Sequence, residues 1–228
     1  MPTKDRDIDD LAKDLASFMA ETLCAMGKEE EEREAGSPTP SGLIFPLNRK
    51  NKEGKRTRRV SEQESKIIAS RWLSDHGYPF SIETPTKEGY TQTGKDPQAA
   101  RTDITVFDGS IQRWLNIELK ALQSDEESFR KDLEKLLREG VEGMWFHTLE
   151  SADAKSWKAI GRKLWWSYRK LKSNPVCADA FADPVHSVRF NFFVLTTCEL
   201  DTFPVSFANW ETDLGNRFPE ADFPKDED

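Results

Sequence analysis

A chain of 228 residues is long enough for one substantial domain, and seven Trp and fourteen Phe supply much of its core. Its formal net charge of −8 argues against a generic nucleic-acid binder, and no run of about 18 apolar residues occurs that could span a membrane as a helix. The opening "MPTKDRDIDD" lacks the apolar stretch of a signal peptide, so a cytoplasmic location is expected.

Residues 5 to 33 read as an amphipathic helix, because Ile8, Leu11, Leu15, Met19, Leu23 and Met26 recur every three or four positions. Such a helix needs a surface to pack on, either the main domain or a second copy of the chain or another protein. "AGSPTPSG" at 35–42 breaks it and reads as a linker. "LIFPL" follows as a short apolar segment, an edge strand by its Pro46. The loop at 49–59 is strongly basic, with Arg49, Lys50, Lys52, Lys55, Arg56, Arg58 and Arg59 against Glu53 alone.

The main domain is expected to start at Ser61. Ser61 and Glu64 form a capping box for a helix that Gly77 ends, and Glu64 shares the helix face of Ile67 and Ile68, pointing inward. "FSIET" reads as a strand, and 85–100 as a long polar loop. A hairpin spans 101–121. A helix at 127–140, a strand at 141–150, a helix at 153–172 and a buried strand at 187–197 follow. The order describes an α/β domain on a mixed sheet. The chain thus divides into an N-terminal helix (1–35), a linker with the basic loop (36–60), a core domain (61–205) and an acidic tail (206–228).

The hairpin "RTDITVFDGSIQRWLNIELKA" holds the chemistry. Side chains alternate across a strand, so Ile104, Val106, Leu115, Ile117 and Leu119 make one apolar face. Asp103, Thr105, Asn116, Glu118 and Lys120 make the other, provided like pairs with like. On a solvated sheet this is an ordinary cross-strand salt bridge, worth about 0.2–1 kcal/mol. On a covered face, two neighbouring carboxylates require a cation, and a hard divalent ion with oxygen ligands such as Mg²⁺ fits.

"RTDI…NIELKA" resembles the PD-(D/E)xK nuclease superfamily, with Asp103 matching its aspartate and Glu118 and Lys120 its (D/E)xK half; Thr102 stands where the motif has proline. The resemblance covers roughly 61–150 and implies a restriction-endonuclease-like αβββαβ core with a mixed central sheet. It implies metal-dependent hydrolysis of a phosphodiester, in DNA before RNA, with Asp103 and Glu118 holding Mg²⁺ (or Mn²⁺). Lys120 would position or deprotonate the water, or stabilise the phosphate. Glu64 sits where many members have a further acid. A role in prokaryotic defence would suit the family. The alternative is a catalytically inactive nuclease-fold module that binds or regulates through protein contacts.

Other candidates surround the hairpin. Glu83 could reach the site from the neighbouring strand. His76, His147 and His186 lie far apart and show no metal-ligand spacing, and no phosphate-binding glycine motif occurs. From Lys155 to Lys172 the chain holds seven basic residues and no acid. Arg162, Lys163, Arg169 and Lys170, with Arg56 and Arg58 in the basic loop, are the candidates to grip a nucleic-acid backbone, with Trp165 or Trp166 left for base stacking. Cys24, Cys177 and Cys198, odd in number and without a CxxC pair, are expected to be reduced packing residues.

Overall fold

The structure, a computed structural model, describes residues 7–34, 43, 61–90, 98–122, 125–182, 186–221 and 223. The basic loop with Arg56 and Arg58, and the "LIFPL" segment apart from Leu43, lie outside the described residues. The fold is mixed α/β. Among the described residues six α-helices, α1 (Ile8–Glu34), α2 (Glu62–Asp75), α3 (Glu126–Arg138), α4 (Ala154–Lys172), α5 (Ala178–Ala182) and α6 (Trp210–Arg217), surround one open six-stranded sheet. Its strands are β1 (Phe80–Tyr90), β2 (Gln98–Phe107), β3 (Arg113–Ala121), β4 (Glu142–Leu149), β5 (Ser187–Val194) and β6 (Glu199–Ser206), adjacent in chain order.

The sheet is antiparallel from β1 to β3, parallel from β3 to β5, and antiparallel again at β6. α3 and α4 make the two crossovers that parallel neighbours require. Two apolar layers result. α1 and α2 cover one face, burying Leu11, Leu15, Met19 and Leu23 against Ile104, Ile117, Leu119 and Phe146. α3, α4 and α6 cover the other, over Trp145, Val188, Phe190 and Phe192. The apolar stripe of α1 is therefore buried against the sheet of its own chain.

Local chemistry sets the helix ends. Ser61 and Glu64 close the expected capping box of α2, while Asp125 and Asp153 accept from the third backbone N–H of α3 and α4, each at 2.7 Å. Gly77 and Gly140 follow α2 and α3 with φ of +72° and +65°, a conformation that glycine adopts without a Cβ clash.

Three expectations are corrected. The stretch 85–100 is not wholly loop: β1 runs on to Tyr90 and β2 begins at Gln98, with Pro85 tolerated because β1 lies at the sheet edge. The segment from 199 onward adds β6 and α6, whose Val205, Trp210 and Leu214 are buried in the core. Finally, Cys24 and Cys198 are not free thiols but a disulfide, with Cα atoms 5.4 Å apart. Packing α1 over the sheet brings its C-terminal half to the β5–β6 turn and closes a sequence separation of 174. Only Cys177 is free among the described cysteines, and it is buried.

Candidate active site on the central sheet

The register of β2 on β3 pairs Ile104 with Ile117, Thr105 with Asn116 and Val106 with Leu115, like with like. Ile104, Val106, Leu115, Ile117 and Leu119 are all buried on the α1–α2 side. The polar face is covered as well: Thr105 and Asn116 are fully buried, and the Thr105 hydroxyl donates to Asn116 Oδ1 at 2.9 Å. The paired ladder stops at Ile104 and Ile117. One step beyond it, the same register sets Asp103 opposite Glu118. The β1–β2 register sets Glu83 opposite Asp103 on the other side, and Glu83 takes a left-handed φ of +51°. Three carboxylates thus stand at one level on three neighbouring strands.

Lysines from both helix layers converge on them. Lys66 of α2 lies 2.9 Å from Asp103 Oδ1 and also donates to Glu83. Lys135 of α3 bonds Glu118 Oε2 at 2.6 Å and Asp132 Oδ1 at 2.8 Å. Lys120 Nζ lies 2.6 Å from Asp132 Oδ2 and 3.5 Å from Glu62, at the start of α2. The backbone N–H of Leu119 donates to Asp103 Oδ2 at 2.9 Å, tying β2 to β3 where the ladder has ended. Glu118 is only 1% exposed, and its Oε1 has no partner among the described residues.

Burial drives the Glu118 carboxyl well above the usual carboxylate range; the charge of Asp132 pushes the same way, Lys135 opposes and Asp103 adds to the rise. Burial likewise raises Glu62, against the pull of Lys120. For Lys66, Lys120 and Lys135 burial disfavours the ammonium, but their acidic partners outweigh it and all three are held above the ordinary lysine value. Lys120 is therefore a firm cation at neutral pH.

Glu62, Glu83, Asp103, Glu118 and Asp132 face Lys66, Lys120 and Lys135, so the cluster has two more acids than bases. That imbalance, the bare Glu118 Oε1 and the all-oxygen donor set fit a hard divalent cation. Among the described residues no three His, Cys, Asp or Glu side chains converge to hold a metal. Asp103 and Glu118 would be its only protein carboxylates, with water or phosphate oxygens completing the shell, the manner in which Mg²⁺ is commonly bound.

The other named residues fall as follows. Glu64 is buried but bonds Ser61, accepting from its N–H at 2.9 Å and its hydroxyl at 2.5 Å. The acid of α2 that reaches the cluster is Glu62. The basic candidates on α4 each have a contact within the chain. Arg162 donates to the Ala221 carbonyl, Lys163 lies 5.8 Å from the Phe129 ring centroid, Arg169 stacks over Trp166, and Lys170 pairs with Glu126 at 2.5 Å. Trp165 is stacked on Phe223, leaving Trp166 the exposed tryptophan.

Sequence reasoning passes over Lys66, Asp132 and Lys135, although for Asp132 a signal exists. Asp132 lies three residues after Phe129 and four before Leu136, within the buried stripe of α3, where a charge demands a partner. Comparison of the chain with protein-family models, with curated proteins and with solved structures found no match.

Proposed function

We propose that this chain is a divalent-metal-dependent nuclease that hydrolyses phosphodiester bonds, in DNA before RNA, on a restriction-endonuclease-like core. The observation behind this reading is the setting of Asp103 opposite Glu118 at the end of the β2–β3 ladder, with Lys120 on the same covered face and one Glu118 oxygen bare. Mg²⁺ held there would polarise the scissile phosphate and lower the pKa of bound water. Lys120, kept protonated beside Asp132 and Glu62, offers positive charge to the phosphate rather than taking a proton from water. Asp132 fixes the Lys120 ammonium at 2.6 Å, and the Leu119 N–H orients the Asp103 carboxylate.

One observation favours the second reading, a binding or regulatory module without catalysis: Lys66 and Lys135 already occupy one oxygen of each motif acid. Incubation with plasmid, single-stranded DNA and RNA, with Mg²⁺, Mn²⁺ or EDTA, separates the two. Metal-dependent cleavage lost in both Asp103→Asn and Lys120→Ala, with the fold intact, supports the nuclease. No cleavage of any substrate with either metal supports the module.

A further inference from the structure

At the carboxyl ends of β3 and β4, where ligands seat in open α/β sheets, a cleft of about 400 Å³ opens between α3 and the start of α4. That volume falls in the range of about 300–1,000 Å³ typical of small-ligand sites. Leu122, Phe129 and Ile160 give it apolar walls, and Lys155 and Lys163 line it with positive charge. His147 lines it too, one strand over from Lys120 in the parallel register and only 1% exposed.

The state of His147 follows from its one hydrogen bond. Its Nε2 lies 2.6 Å from the Leu122 carbonyl oxygen, which only accepts, so Nε2 bears the proton and Nδ1 presents a lone pair. Nδ1 is buried with no partner among the described residues. Burial lowers the imidazole to about 4, against the Leu122 bond and with Lys120 and Lys163 adding to the fall, so the ring stays neutral. A desolvated acceptor among apolar walls calls for a flat ligand with an N–H donor, and the two lysines call for an anionic group on it. Asp153, the acid of the lining, is engaged: its Oδ1 accepts from the Ser156 N–H and hydroxyl, at 2.7 Å each.

We infer that this cleft is a nucleotide subsite, taking a base beside Phe129 with a base N–H on His147 Nδ1 and a phosphate near Lys155 and Lys163. The choice of a nucleotide over other flat anions rests on the reading of the adjacent Lys120 cluster as a phosphodiester site; the cleft and its bare acceptor do not.

Calorimetric titration of the full chain in EDTA with deoxyadenosine 5′-monophosphate tests it without any need for cleavage. Saturable binding is expected, weaker by about tenfold or more for the analogue lacking the exocyclic amine, and similarly weakened for deoxyadenosine without phosphate. Ala159→Trp, an exposed lining position where bulk fills the cleft without touching the core, should abolish binding, and Lys163→Gln should weaken it. Absence of saturation up to about 5 mM, inorganic phosphate binding as tightly as the nucleotide, or unchanged binding in Ala159→Trp overturns the subsite. Nucleotide binding with no cleavage of any nucleic acid would instead defeat the nuclease reading and leave the subsite standing, while cleavage without nucleotide binding would do the reverse.

Discussion

Replacing Lys135 by methionine tests how the buried acids are held. The substitution keeps an apolar stem but removes the ammonium that bonds Glu118 at 2.6 Å, Asp132 at 2.8 Å and the Arg101 carbonyl at 3.1 Å. Glu118 and Asp132 side chains are 1% and 10% exposed, so water cannot replace the lost partner. Breaking a buried pair costs about 3–5 kcal/mol, which at about 2–4 °C per kcal/mol lowers the melting temperature by roughly 6–20 °C. Glu118 has an escape, since its raised carboxyl can take up a proton, so the cost should shrink from about pH 8 to about pH 5.5, by no more than about 1.4 kcal/mol per pH unit for one proton. Adding Glu118→Gln to Lys135→Met removes the stranded charge and should recover roughly 2 kcal/mol. Urea unfolding followed by tryptophan fluorescence measures all four corners of the cycle. A single-variant loss below about 1 kcal/mol at pH 8, or strictly additive substitutions, would refute the claim that Glu118 depends on Lys135.

Three further outcomes are expected. Because the folded state raises the Glu118 carboxyl, its stabilising effect is full below the ordinary value of 4.5 and is lost as pH rises through the folded value, so Glu118→Gln should flatten that decline in urea midpoints; an equally steep decline in the variant would place the titration elsewhere. Ser61→Ala and Glu64→Ala should each cost on the order of 1 kcal/mol through loss of the α2 cap while cleavage per folded molecule stays at the wild-type level; a Glu64→Ala protein with native circular dichroism and no cleavage would restore Glu64 to the chemistry. Cys24→Ser should lower stability by about 2–5 kcal/mol, since the bond closes a very long loop, and reductant should do the same to the wild type; a reductant-insensitive wild type would mean the thiols are not joined in solution. Such a bond persists in oxidising compartments.

The hairpin was legible in the sequence because a period of two leaves little freedom: once Ile104, Val106, Leu115 and Ile117 share a face, Asp103, Glu118 and Lys120 must share the other. Helix starts and stops were legible where a local hydrogen bond or a left-handed φ sets them, at Ser61, Gly77 and Gly140. The second half of β1 and all of β6 escaped because edge strands tolerate Pro85 and Pro204 and need only one buried face, which blurs the alternation. The partners of the site acids escaped for a different reason. Lys66 and Lys135 meet Asp103 and Glu118 only after two helix layers close on a sheet, and no spacing within the chain encodes that meeting.

Whether the cluster serves chemistry or structure turns on its charge. Buried ion pairs contribute little net stability against an apolar core of the same volume, so a purely structural network gains most when acids and bases match. Here two acids are in excess, and the excess is carried by Glu62 and Glu83, whose side chains are 40% and 46% exposed, while Glu118 keeps Lys135 and its carboxyl is driven upward chiefly by burial. Water reaches those two, so the count alone does not call for a metal; what the proposed nuclease reading adds is a cation between Asp103 and Glu118, which would supply the bare Glu118 Oε1 with the partner it lacks among the described residues.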